Sequence, residues 1–128
     1  MISQDFLTEL EISLLRSYAK ASSHILPRNQ REPNFLGSAQ YKEDFVNKFM
    51  AILDGRRLVL NEMIQYGGHK NSAELLDKVY KTVEDAIRAE LVRNLLNQKT
   101  MDELSFRKVL RELKNTVRSV FYQGYLGK

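Results

Sequence analysis

Apolar residues recur at steps of three and four in four stretches of the chain, and none alternates with the period of two that marks a half-buried strand. Leu7, Leu10, Leu14, Tyr18, Ala21 and Ile25 form the first seam. The second stretch carries two parallel seams: Phe45, Phe49, Ile52, Val59, Met63 and Tyr66 on one line, with Val46, Met50, Leu53, Leu60 and Ile64 beside it. Leu76, Val79, Val83, Ile87, Leu91 and Leu95 make the third, and Phe106, Val109, Leu110, Leu113, Val117, Val120 and Phe121 the fourth. Each set falls on one face of a helix, and the pattern predicts helices over about residues 3–25, 40–66, 72–97 and 101–122.

The polar residues between the seams agree. Asn71 with Glu74, and Thr100 with Glu103, have the spacing of a capping box, in which a side-chain oxygen accepts from an amide of the first turn and the acid reaches back. Gly67-Gly68 is expected to close the second helix and Gly124 to cap the fourth. Both prolines, Pro27 and Pro33, lie in the stretch from Pro27 to Ser38, which also holds the apolar pair Phe35-Leu36. That stretch is the one long connection; the other links are short, so the helices they join should be antiparallel neighbours. The prediction is an all-α single domain, an antiparallel four-helix bundle running up-down-up-down, with one long loop between helices 1 and 2.

Composition changes this picture little. A chain of 128 residues with 43% hydrophobic and 28% charged residues matches an ordinary folded domain. It has no cysteine, which excludes disulfides, thiolate metal sites and thiol nucleophiles. No apolar run approaches the roughly 18 residues of a membrane span, and the opening MISQDFLTEL has no basic leader. A cytoplasmic protein without membrane contact is the expectation. Its charge is +4, and the whole excess lies in residues 99–128.

Catalytic chemistry is hard to find. Of the two histidines, His24 belongs to the first helix and His69 to the Gly-Gly turn, and neither has an acid three residues before it, as a carboxylate-bridged metal site in a bundle requires. No glycine loop leads into Gly-Lys-Ser/Thr. The chain is read as a non-enzyme without cofactor or metal.

Two constellations are candidates for binding. Arg107, Arg111, Lys114 and Arg118 are spaced four, three and four, so they form a narrow stripe on the last helix, and Tyr122 continues it one turn later. A solvated basic row ending in aromatics suits a nucleic-acid backbone with a stacked base. The alternative is a plain solvated face with a Glu103–Arg107 pair. The second candidate is Arg56 and Arg57, which interrupt both seams of the second helix beside Gly55. They mark either a break with a partner site or an internal ion pair, with Glu84 or Asp85 as the candidate acids.

Two functions follow. The first is a non-catalytic helical interaction module, an accessory subunit or adaptor with a protein partner or a second copy of itself. Its support is the double seam of the second helix, wider than one neighbour covers. The second is a nucleic-acid accessory protein binding RNA or DNA through the C-terminal stripe. The modest net charge places the interaction module first.

Overall fold

The computed structural model describes residues 3–31, 39–96 and 101–126, with side chains for residues 3–25, 40–94 and 101–122. Among these residues the chain is helical, without strands, in five helices: α1 (Gln4–Arg31), α2 (Ala39–Asp54), α3 (Arg57–Tyr66), α4 (Ser72–Leu96) and α5 (Glu103–Leu126). Phe35-Leu36, Pro33 and Thr100 lie outside the described residues, as do the side chains of Leu95 and Tyr125.

Side chains and turns set most helix ends. Ser3 Oγ accepts from the Phe6 amide at 3.2 Å, one of the orphan donors of the first turn of α1. Asp102 does the same for α5, accepting from Ser105 at 2.8 Å. The α5 cap is therefore Asp102, two residues beyond the predicted cap Thr100, and α5 starts at Glu103 instead of 101. Gly68 follows α3 at φ 91°, where a side chain would be strained, and its amide bonds back to Gln65 O at 3.0 Å. Two predicted ends were wrong. α1 continues through Pro27 to Arg31. Pro27 therefore lies inside α1, although a proline there gives up its own amide bond and crowds the carbonyl four residues back. α5 likewise runs through Gly124 to Leu126, so Gly124 does not cap it.

The predicted second helix is two helices. At its centre the hydrogen bonds tighten from four residues to three: Gly55 N–H reaches Ile52 O at 3.1 Å and Arg56 N–H reaches Leu53 O at 2.9 Å. Arg56 adopts φ −98°, ψ 1°, and its carbonyl then accepts from Leu60 at 3.0 Å to open α3. Gly55, which weakens a helix interior by about 1 kcal/mol relative to alanine, stands at this joint.

The core follows the predicted seams except across the joint. Leu7, Leu10, Leu14, Ala21 and Ile25 of α1 are buried, as are Leu76, Val79, Val83, Ile87 and Leu91 of α4. Phe106, Val109, Leu110, Leu113, Val117 and Phe121 of α5 are buried too. In α2 both seams point inward, with Phe45, Val46, Phe49 and Leu53 buried, because α1 and α4 both pack on it. The double seam therefore finds two neighbours inside the chain. In α3 only Leu60 and Ile64 stay buried, while Tyr66 is turned to solvent.

Aromatic rings link the helices. Tyr18 stacks on Phe106 with centroids 4.5 Å apart and meets Phe45 edge-on, and its hydroxyl donates to Met101 O at 2.7 Å. Phe49 meets Phe106, and Phe6 meets Phe121 at the other end of α5.

Candidate functional site

Arg56 and Arg57 leave the chain in opposite directions at the joint. Arg56 reaches α1, where its guanidinium lies 3.3 Å from Glu9 Oε2 and 3.4 Å from Ser13 Oγ. Arg57 reaches α4: it donates to Asp54 at 2.9 Å and to Asp77 at 2.6 Å, and lies 4.4 Å above the ring of Tyr80. These bonds to Asp54 hold the Arg57 guanidinium even further above the ordinary range than arginine already stands. The expected acids were different. Glu84 pairs with Arg88 and Asp85 with Lys81, each within α4. At the joint the arginines instead meet Glu9 of α1, Asp77 of α4 and, three residues back, Asp54.

Tyr80 completes the joint. Its hydroxyl donates to Leu53 O at 2.6 Å, a carbonyl that an unbroken helix would bond to residue 57. Burial pushes the phenol up to about 12. Below it an open groove of about 500 Å³ runs between α2 and α4, floored by Val46, Met50 and Ala51. Its charges are already matched, since Arg88 also pairs with Glu43 at 2.8 Å and holds that carboxyl below the usual range by hydrogen bonding. Anion capture therefore has no free cation in this groove.

The basic stripe on α5 is less uniform than its spacing implied. Arg107 is exposed but paired with Glu103 at 3.1 Å. Lys114, expected to be solvated, is half-buried and crosses to Glu11 of α1 at 3.0 Å. It closes over an apolar seam of Leu7, Leu14, Leu110 and Val117, so its methylenes pack while its head pairs. Arg118 bonds only the neutral Asn115, at 3.4 Å, and Arg111 has no partner among the described residues. Tyr122 is 65% exposed.

Two features escaped the sequence reading. Leu104 is 79% exposed in the first turn of α5. Lys108 is exposed on the same outer side and has no partner among the described residues. Their steps of four and three to Arg111, Asn115, Arg118 and Tyr122 are visible in the sequence, but the stripe through Arg107 and Lys114 runs along a neighbouring line displaced toward α1. On α3, Leu58 and Tyr66 are 72% and 90% exposed, with Val59 beside them.

Among the described residues no group of three or more His, Asp or Glu side chains is arranged to hold a metal. No helix among them is long and apolar enough to cross a membrane. No family model, curated protein or solved structure matches this chain.

Proposed function

We propose that the chain is a non-catalytic helical interaction module, an accessory subunit or adaptor of a larger assembly. The observation that carries this reading is the outward face of α3, where Leu58, Val59 and Tyr66 stand in solvent beside a joint tied down on both sides. An aromatic and a large aliphatic exposed on one short helix form the kind of anchor that protein interfaces bury. The architecture we read beneath it is a four-arm antiparallel bundle whose second arm consists of α2 and α3. Its support is the order of the cross-helix pairs. Tyr18 meets Phe45 and Phe106, while nearer the start of α1 Glu9 meets Arg56 and Phe6 meets Phe121.

A nucleic-acid accessory role is the second reading, favoured by the exposed Arg111, Arg118 and Tyr122. Two of its four expected cations are already neutralised by Glu103 and Glu11, which lowers the number of phosphates the stripe could hold. The deciding experiment passes nuclease-treated extract of the source cells over the immobilised chain and, separately, runs the chain on size exclusion with short RNA or DNA. Expected are proteins retained by the wild type and lost with Leu58→Ser/Tyr66→Ser, and no elution shift with nucleic acid at about 50 mM salt. No protein retained from the nuclease-treated extract, or a nucleic-acid complex on the column, overturns the proposal.

A further inference from the structure

The outermost line of α5 runs Leu104, Lys108, Arg111, Asn115, Arg118, Tyr122, in steps of four and three, and every one of these residues is exposed. Eighteen residues make five helical turns, so Leu104 and Tyr122 stand in line about 27 Å apart. Between them lie three cations, and among the described residues no acid pairs with any of them. The compensated cations, Arg107 and Lys114, lie to one side of the line with their acids. The result is a straight ridge with an apolar residue at each end and uncompensated positive charge in the middle.

From this arrangement we infer that the α5 ridge docks an acidic amphipathic helix of a protein partner. The inference rests on the interaction-module reading and names the chemistry of one partner. Positions spaced four and three form the ridge by which one helix packs along another. A partner helix with carboxylates along its centre would meet Lys108, Arg111 and Arg118, and apolar residues five turns apart would cover Leu104 and Tyr122. The flanks separate this occupant from nucleic acid. Glu112 lies exposed about 80° to one side of the ridge, while on the other flank Glu103 is held by Arg107. A helix lying in a major groove has phosphates along both flanks, where the Glu112 carboxylate would be repelled. A partner helix avoids that repulsion and can place its own cation opposite it. A second copy of this chain bound through the same ridge would set cation against cation across the two-fold axis.

The probe is a synthetic helical peptide of about 20 residues with glutamates along one ridge, a leucine at each end of it and lysines on both flanks. Its control has the same composition scrambled, and single-stranded RNA and duplex DNA of similar length are run in parallel. In a ¹⁵N NMR titration of the full chain, the peptide should shift the amides of Leu104, Arg111, Arg118 and their neighbours. Arg111→Gln/Arg118→Gln should weaken binding about tenfold, and Leu104→Ser should weaken it further. Shifts elsewhere, equal binding of the scrambled peptide, or stronger binding of RNA or DNA at these amides would overturn the inference. The Leu58→Ser/Tyr66→Ser chain keeps the two proposals apart. If the peptide misses α5 while proteins are still retained through α3, only the ridge is wrong; if both fail, the interaction module fails with it.

Discussion

Removing one oxygen from the joint tests how the second arm is held. Tyr80→Phe keeps the buried ring and its contact with Arg57 but deletes the hydroxyl that donates to Leu53 O at 2.6 Å. Leu53 O still accepts from Arg56 at 2.9 Å, so the substitution leaves no orphaned acceptor. The cost is therefore that of one net hydrogen bond, about 0.5–1.5 kcal/mol, and not the larger penalty of an unsatisfied buried group. In urea, with a slope of about 1–3 kcal/mol per molar, the midpoint should fall by roughly 0.2–1.5 M while the slope is unchanged. The measurement is helical circular dichroism against urea near pH 7. A second arm uses the titration of the phenol. Its folded value of about 12 lies above the ordinary 10, so the folded state holds that proton more tightly. The stability this contributes is whole below about pH 10 and is lost as pH rises toward 12. Wild type should lose stability in that window relative to Tyr80→Phe. Equal midpoints near neutrality and parallel loss at high pH would refute the role given to Tyr80.

Val83 is fully buried in α4, and Val83→Asp places a carboxylate there, which should cost several kcal/mol and abolish cooperative melting; an unchanged Tm would refute the packing of α4. Glu43, held below the usual carboxylate range by its hydrogen bond from Arg88, contributes stability that is present above its ordinary value of 4.5 and lost as pH falls through its lower folded value. The difference in Tm between wild type and Glu43→Gln should therefore shrink as pH falls below the ordinary value of 4.5. Arg56 and Glu9 are each about one-third exposed, so a double-mutant cycle with Arg56→Gln and Glu9→Gln should give a coupling under about 1 kcal/mol. A value above about 2 kcal/mol would mean that this pair, and not the burial of Leu60 and Ile64, holds α3 in place.

The helices were legible because a helix that buries one face must repeat apolar residues at its own period, and α4 and α5 do so without interruption. Seams say less about where a helix ends. Pro27 and Gly124 have strong local preferences against helix, yet each loses only a local term while the turns around it continue. The joint was marked in the sequence by Gly55-Arg56-Arg57, but its geometry was not. Whether two cations inside a seam meet acids of the same chain depends on which helices pack beside them, and no spacing records that packing. The same limit applied on α5. The stripe was read as four equivalent cations because position on a helix was known and distance to α1 was not. Glu11 lies about a hundred residues before Lys114 in sequence, and only the packing of α1 on α5 brings them together at 3.0 Å. Lys108 and Leu104, which the stripe did not include, belong to the exposed line of α5.

The apolar face of α3 lies beside the joint. Leu60 and Ile64 continue the buried line of Val46 and Leu53 across the two tightened turns at Gly55 and Arg56, while Tyr66, on the line of Phe45 and Phe49, faces solvent. Arg56 then ties the start of α3 to α1, and Arg57 ties it to α4 through Asp77 and the face of Tyr80. These exposed pairs are individually weak, each worth at most about 1 kcal/mol, but they act at the pivot on opposite sides of the arm. A partner that docks on Leu58 and Tyr66 thus meets a short helix already fixed in direction by two buried leucine-type side chains and two ion-paired arginines. Little backbone ordering is left to oppose binding, and such preorganisation lets a small apolar face reach useful affinity.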